Sequence, residues 1–325
     1  RFKVSREKLA YLIDSTSAPI CMLIPLNAWG AFNLGLLDGL GVEQPLKVLL
    51  SSIPMNLYAI VAVLLAAFTV SRNFNLGPMV EAERRAATGQ SLAVQQDAQI
   101  LEDSAPPNAW NMLLPVACLV GAMPAFLLIT GNGDLFAGSG STSVLWASLF
   151  ALTVVSMLVL VQRSMSLERL TNTWMEGAGG MLPIATILLL ALALGGVSKA
   201  LGTGVFVASL VGETLPAWLL PACLFLASGF IAFAVGSSWG TFSIMLPIAV
   251  PVASALGVDP TLLVAAVLSG GIFGDHSSPI SDTTIVSSLA SGTEHIQHVS
   301  TQLPYALLAG GVSIIGFLML GLILL

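Results

Sequence analysis

Long apolar runs separated by short polar segments dominate the chain. Each run approaches or exceeds the roughly 20 residues that a helix needs to cross a bilayer. The seven runs cover residues 48–70, 109–130, 143–162, 181–198, 216–235, 243–270 and 303–325. This pattern predicts an all-α, polytopic membrane protein.

The composition agrees with this pattern and excludes several classes of soluble protein. Of the 325 residues, 56% are hydrophobic and 9% are charged, whereas a soluble domain carries about 25% charged residues. A soluble enzyme with a large core would need more charge on its surface. The net charge of −6 comes without a basic stripe, which argues against a nucleic-acid partner. The three cysteines show no spacing typical of a metal site or disulfide framework.

The basic residues fall into three clusters that predict the orientation of the chain. Residues 1–8, 71–108 and 163–169 together hold nine of the 11 Lys and Arg residues. Because basic loops stay on the cytoplasmic side, we expect all three clusters there, with 71–108 as a cytoplasmic loop. Loop 131–142 has no Lys or Arg and is expected outside. The amphipathic stretch 163–180 is expected along the membrane interface before the next span.

Four segments within the apolar pattern mix Gly or Pro with hydroxyl residues. They cover 14–30, 195–204, 236–251 and 271–284. Non-helical backbone is tolerated at membrane depth only where it is buried in protein or lines a cavity. The segments therefore predict broken helices and re-entrant hairpins.

Short motifs in segment 14–30 are similar in sequence to motifs in the later broken segments. DSTSAP at 14–19 is similar to DHSSP at 275–279, and NAWGAF at 27–32 is similar to SSWGTF at 237–242. Paired broken segments in two parts of a chain are typical of inverted repeats around a site at the membrane midplane. The short match favours such repeats.

The stretch GIFGDHSSPISDTT at 271–284 carries the densest polar chemistry. Intramembrane carboxylates are costly unless they serve a function, which favours cation binding and proton exchange at Asp275 and Asp282. Pro279 breaks the helix between them, so the two carboxylates are expected to face a cavity from opposite sides. The alternative is a structural, salt-bridged Asp, but few basic residues lie in the spans. His276 could relay protons or only bond a carbonyl.

Two further polar groups are candidates for the same site. Asp14, which precedes Ser15 and Thr16, either caps a half-helix or faces the ions. Ser237, Ser238 and Thr241 flank Trp-Gly and either coordinate a cation or pack helices together. The complete predicted set for ion binding and proton exchange is Asp275, Asp282, His276, Ser278, Ser281, Thr283, Asp14, Ser15, Thr16, Ser237, Ser238 and Thr241. Within it, Na⁺ is assigned to Asp275, Asp282 and Ser238.

The remaining histidines receive no functional role from the sequence. His295 and His298 lie in a polar connector and are expected to be solvated. No Cys or second His lies near His276, so a zinc site is not expected.

Five stretches resemble the NhaC family of Na⁺/H⁺ antiporters, in the ion-transporter superfamily. They are LIDSTSAP at 12–19, GPMVEAERRAATG at 77–89, GTG at 202–204, SSWGTFSIMLPIA at 237–249 and GDHSSPISDTT at 274–284. The resemblance implies a multi-pass, ion-coupled secondary transporter of the inner membrane. It also implies that residues 1–325 form one transporter domain, the C-terminal part of a longer chain.

Three functions stay open at this level. The first is Na⁺/H⁺ antiport, which would serve pH homeostasis, and the second is Na⁺- and H⁺-coupled exchange of small organic anions such as malate and lactate. The apolar runs lack Arg, the residue best suited to bind an organic carboxylate, which favours cations alone. The third, an intramembrane hydrolase, lacks a protease-like pattern. We expect no enzyme activity and no cofactor, with Na⁺, H⁺, membrane lipid, a small organic anion and a second copy of the chain as the candidate partners.

The predicted topology can be tested with single cysteines placed in two loops. In a background that lacks the native cysteines, Gly138→Cys should react with an impermeant maleimide added to intact cells, and Thr88→Cys should not. The reason is that the basic loop 71–108 is expected inside. Labelling at position 88 but not at 138 would refute this orientation.

Overall fold

The computed structural model describes residues 4–24, 27–88, 109–134, 138–202, 206 and 216–325. Within these ranges the chain is helical and contains no strand. The α-helices are α1 Arg6–Leu23, α2 Ala28–Gly39, α3 Pro45–Ser52, α4 Leu57–Arg72, α5 Pro78–Ala87, α6 Trp110–Thr130, α7 Gly140–Val161, α8 Leu167–Ala200, α9 Leu220–Val235, α10 Ser238–Leu256, α11 Thr261–Ser277, α12 Asp282–Ser291 and α13 His295–Leu324.

Among the described residues, five helices are long and apolar enough to cross a membrane. They are α6, Thr142–Val161, Ala217–Val235, α10 and α13. A further pair, Pro45–Met55 and Leu57–Arg72, would add one span if it crosses as a unit bent by 45°. These helices confirm the predicted all-α polytopic membrane protein.

Some helix breaks differ in place from those that the sequence pattern predicts, whereas the one in 271–284 lies where it is expected. The apolar run 243–270 is two helices, α10 and α11, separated at Gly257, which adopts a left-handed φ of 68°. The stretch 163–180 is not a separate interfacial helix, because α8 continues without interruption to Ala200. Part of the predicted break at 195–204 lies outside the described residues, as do positions 89–108 of the polar loop.

Two other predicted segments each contain a helix end, but not at their prolines. Segment 14–30 does not begin a half-helix, since α1 starts at Arg6 and passes through Pro19 to Leu23, and α2 begins at Ala28. Segment 236–251 is unbroken apart from its start, because Pro247 and Pro251 both lie inside α10. Each proline removes one backbone donor but leaves a continuous helix, which is tolerated where neighbouring helices satisfy the freed groups.

The chain divides into two compact units. The first comprises Arg1–Ile24, Val48–Gln96 and Leu194–Leu325, and the second Pro25–Lys47 and Asp97–Ala193. In the second unit, α6 and α7 pack together, and the Thr130 hydroxyl at the end of α6 lies 3.1 Å from that of Ser143. Most large apolar side chains of α6 and α7 are exposed, as expected for lipid-facing helices.

Helix α11 is the centre of the first unit. All of its residues from Thr261 to Ser277 are buried except Phe273, which fits a helix that is apolar around its whole circumference. It packs most extensively on α9, where Gly270 lies so close to the Phe225 carbonyl that a Cβ would overlap it. Small residues allow such close approach of helices in membranes.

The polar segment after α4 is anchored to the start of α1. Helix α5 holds Glu83, which accepts hydrogen bonds from the Ser5 N–H at 2.7 Å and pairs with Lys8 at 3.4 Å. Arg85 of α5 pairs with Glu7 at 3.0 Å. These contacts fix the N-terminal end of α1, which carries Asp14 and Ser15 further along.

The close contact of α9 and α11 predicts a cost for adding one methyl group. Gly270→Ala would force the Cβ against the Phe225 carbonyl and against Ser228, whose Cβ would lie at 2.7 Å. Overpacking of this kind costs about 1–3 kcal/mol, so the apparent Tm in detergent should fall. Gly311→Ala on α13 is the matched control, because a Cβ there meets nothing within 4 Å. An equal Tm for both variants would contradict the proposed packing.

Candidate ion-binding site

Two helix breaks meet in the first unit. One separates α9 from α10 at Gly236 and Ser237, and the other separates α11 from α12 at residues 278–281. The Ser278 hydroxyl donates to the Phe233 carbonyl at 2.8 Å, and a Cβ on Gly236 would lie 2.7 Å from the Ile280 carbonyl oxygen. Gly236 has a φ of 69°, which glycine adopts without strain. The paired breaks bring α10 beside the polar residues at the end of α11.

Asp275 lies at the end of α11 and is fully buried. One carboxylate oxygen accepts from the Ser281 hydroxyl at 3.0 Å, and the other accepts from the Thr283 hydroxyl at 3.0 Å. Ser281 also caps α12 by accepting from the Thr284 N–H. The turn around Pro279 therefore folds the hydroxyls back over Asp275, which is the break that the sequence predicts.

Asp282 does not face the same cavity as Asp275. Its side chain is exposed, and its Oδ1 accepts from the Thr283 N–H at 2.9 Å in the first turn of α12. The expected pair of opposing carboxylates is therefore wrong in its geometry, because the turn at 278–281 buries the first carboxylate and turns the second outward.

Asp14 is the second buried carboxylate of the unit. It lies within α1 and is fully buried, so it is not the helix cap, a role that Ser5 takes. Its Oδ2 accepts from the Thr284 hydroxyl at 3.1 Å and from Gln302 Nε2 at 2.6 Å. Its Oδ1 is buried and has no hydrogen-bond partner among the residues that the structure describes. A buried carboxylate oxygen is costly when unpaired, so this oxygen points to a ligand or a proton.

His276 links the two carboxylate regions. Its Nδ1 lies 2.8 Å from the Tyr58 hydroxyl, and its Nε2 lies 3.3 Å from the Ser15 hydroxyl and 3.7 Å from Asp14 Oδ2. Its backbone carbonyl accepts from Gln302 Nε2 at 2.7 Å. The predicted proximity of Asp14 and Ser15 to the polar groups of 275–282 is confirmed, while their role in ion binding stays a prediction.

Several predicted site residues lie apart from the two carboxylates. Thr16 is exposed and donates to the Leu12 carbonyl at 2.6 Å. Thr241 is buried and donates to the Ser237 carbonyl at 3.0 Å. Ser238 is also buried, and in the described part of the chain neither it nor Thr241 bonds Asp14 or Asp275. These α10 residues neighbour the site through the paired breaks.

The sequence pattern missed Tyr58 and Gln302, and it misplaced the two remaining histidines. Tyr58 is an uncharged residue in the apolar run 48–70, and Gln302 is an uncharged residue just before the run 303–325, so only their burial signals a role. His298 is not solvated but buried, 2.9 Å from Gln302 Oε1 and 2.8 Å from the Ser288 hydroxyl. His295 is half-buried, with Nε2 at 2.6 Å from the Pro279 carbonyl.

Comparison with known proteins identifies the group to which this architecture belongs. Residues 20–322 match the Na⁺/H⁺ antiporter family. The chain belongs to this family. The match covers every element of the candidate site except residues 6–19 of α1, which include Asp14 and Ser15, and it makes the protein a relative of transporters.

Relatives of the family with curated descriptions align over different shares of their length. An uncharacterized protein of Haemophilus influenzae is 34% identical over 343 residues, which cover 99% of this chain and 65% of the relative. The malate-2H⁺/Na⁺-lactate antiporter of Bacillus subtilis is 30% identical over 54% of this chain and 37% of its own. The Na⁺/H⁺ antiporter NhaC of Alkalihalophilus pseudofirmus is 30% identical over 36% of this chain and 30% of its own. The chain thus spans about two thirds of the first relative and less of the others.

Gln302 should be required to keep Asp14 in place. Gln302→Leu removes the donor to Asp14 Oδ2 and to the His276 carbonyl, and unsatisfied buried acceptors cost about 1–3 kcal/mol each. We expect a lower apparent Tm in detergent, because both acceptors lose their donor. Gln297→Leu, a half-buried position on the same helix, is the control, and its apparent Tm should stay close to that of the unmodified protein. An equal loss in both variants would contradict a specific contact of Gln302 with the carboxylate.

Proposed function

We propose that the protein is a secondary transporter of the inner membrane that exchanges Na⁺ for H⁺ at Asp14 and Asp275. The observation that carries the proposal is the Asp14 carboxylate, which is fully buried and has one oxygen without a partner in the described part of the chain. Intramembrane carboxylates are retained where an ion or proton uses them. Membership of the Na⁺/H⁺ antiporter family supports the same ions.

The contacts of both carboxylates leave their negative charge uncompensated by strong bases. Asp14 is bonded by Thr284 and Gln302, and Asp275 by Ser281 and Thr283. In the residues described, neither carboxylate contacts Lys or Arg, and Lys8 and Arg85 are paired elsewhere. A small cation or a proton is therefore the group that can neutralise each carboxylate.

The surrounding oxygens suit Na⁺ in particular. Hydroxyl groups surround Asp275, and Pro19 provides no N–H for the Ser15 carbonyl in the turn that follows Asp14. Carbonyls freed by helix interruptions and side-chain oxygens coordinate Na⁺ in secondary transporters. A proton bound to the carboxylate removes the charge that holds Na⁺, so the two ions compete for one site. This competition is the minimal requirement for antiport.

A second candidate is exchange of organic anions coupled to Na⁺ and H⁺. It is favoured by the similarity to the malate-2H⁺/Na⁺-lactate antiporter. The cation site would be shared by both functions, and the anion would need a separate basic or helix-terminus contact. Membership of an antiporter family argues for transport rather than hydrolysis. Surrounding lipid and a second copy of the chain are proposed partners in either case.

The proposal is tested by removing one carboxylate charge at a time. Asp14→Asn and Asp275→Asn keep size and remove the charge, so Na⁺-driven proton flux in proteoliposomes should fall about ten- to hundred-fold. This range corresponds to the roughly 1.5–3 kcal/mol of a contact with a charged group. The Na⁺ jumps are repeated with malate and with lactate, whose transport would support the second candidate.

The matched control is Asp38→Asn on α2, where the carboxylate is exposed. Its flux should equal that of the unmodified protein. Wild-type flux with an unchanged pH profile in both Asp14→Asn and Asp275→Asn would refute the proposed site. A specific loss in only one variant would assign the exchange to that carboxylate.

A further inference from the structure

Two of the three histidines of the chain flank a single hydroxyl group. Ser288 of α12 places its Oγ 2.8 Å from His298 Nδ1 and 3.2 Å from His295 Nδ1, both on the first turn of α13. The same Oγ lies 2.7 Å from the Thr284 carbonyl. The carboxylate site does not use these two histidines directly.

The outer nitrogen of each ring is a donor. His295 Nε2 lies 2.6 Å from the Pro279 carbonyl, which can only accept, so Nε2 carries a hydrogen. Gln302 Nε2 donates its two hydrogens to Asp14 Oδ2 and to the His276 carbonyl. Its Oε1 therefore faces His298 as an acceptor. His298 Nε2 at 2.9 Å must therefore also carry a hydrogen.

With both rings neutral, the cluster has too few hydrogens. Each Nδ1 is then an acceptor, and with the Thr284 carbonyl it competes for the one hydrogen of the Ser288 hydroxyl. One added proton resolves the competition, because His298 Nδ1–H can donate to Ser288 Oγ while the Ser288 hydrogen bonds His295. A second proton would place two cationic rings on either side of one oxygen, which like-charge repulsion disfavours.

We infer that His295 and His298 share one exchangeable proton across Ser288 and that Gln302 couples this proton to the charge on Asp14. The inference rests on the proposed function, and it adds a proton site distinct from the carboxylates. The titratable groups that face His298 are Asp14 on α1, His276 on α11 and His295 on its own helix. A negative Asp14 favours the protonated pair, and Na⁺ on Asp14 disfavours it.

The release step conserves every proton. His298 passes its Nδ1 hydrogen to Ser288 Oγ as the Ser288 hydroxyl hydrogen moves to His295 Nδ1. The half-exposed His295 ring then loses one N–H proton to water, which leaves both rings neutral. One Na⁺ bound at Asp14 thus replaces one positive charge on the histidine pair.

The test reads the charge of each ring directly in the intact protein. Solid-state NMR of ¹⁵N-histidine-labelled protein in lipid vesicles distinguishes neutral from cationic rings, and single His→Gln variants assign the three signals. In choline chloride, the pair should take up one proton in total as the pH is lowered. Replacing choline with Na⁺ should shift the midpoint to lower pH.

Serine variants provide the matched comparison. Ser288→Ala removes the shared hydroxyl and should shift the midpoint and uncouple the two rings. Ser300→Ala, an exposed position on α13, should leave the titration unchanged. Rings that stay neutral, that take up two independent protons or that ignore Ser288→Ala would overturn the shared proton. A midpoint insensitive to Na⁺ would overturn the coupling to Asp14.

These results are separable from a failure of the proposed function. Absence of Na⁺-driven flux in the unmodified protein would refute antiport, while the choline titration would still decide whether the histidine pair shares a proton. Conversely, normal Na⁺-driven flux together with histidine rings that stay neutral at every pH tested would refute only the shared proton.

Discussion

The structure of the first unit depends on keeping carboxylates inside an apolar helix assembly. A bilayer supplies no water to solvate such a group, so the protein must provide every partner itself. Asp14 receives two donors, Thr284 and Gln302, from two different helices, α12 and α13. The hydrogen bonds to the Asp14 carboxylate therefore help to fix the positions of α12 and α13 relative to α1.

The helix breaks make this arrangement possible. An uninterrupted helix from α11 into α12 would carry Ser281 and Thr283 past Asp275, whereas the turn at 278–281 folds both hydroxyls back onto it. The turn is held by Ser278 on the Phe233 carbonyl and by its close contact with Gly236. Breaks in two neighbouring helix pairs thus support each other, and the close glycine contacts of α9 with α11 set their spacing.

A series of hydrogen-bonded side chains links the buried Asp14 carboxylate to a half-exposed histidine ring. From Asp14 it passes through Gln302, His298 and Ser288 to the half-exposed His295. In this series a neutral donor, Gln302, lies between the carboxylate and the titratable rings of His298 and His295. This order lets the charge at Asp14 and the charge on the histidines respond to each other without a salt bridge that would hold both permanently ionised.

The sequence by itself determined the class of the protein and much of its polar chemistry. Long apolar runs were enough for an all-α membrane protein, and Asp275, Pro279 and the neighbouring hydroxyls marked the break that the structure contains. Asp14 was identified as a candidate site residue, but its place in the middle of a helix was not, because Asp is also a favoured N-cap residue. Only the tertiary structure decided that Asp282 turns outward and that Tyr58, Gln302 and His298 turn inward. The physical reason for Tyr58 and Gln302 is that their contacts join residues more than 200 positions apart: Tyr58 lies 218 positions from His276, and Gln302 lies 288 positions from Asp14. Local periodicity carries no information about such pairings, and uncharged residues such as Tyr58 and Gln302 show their role only through the partners they meet.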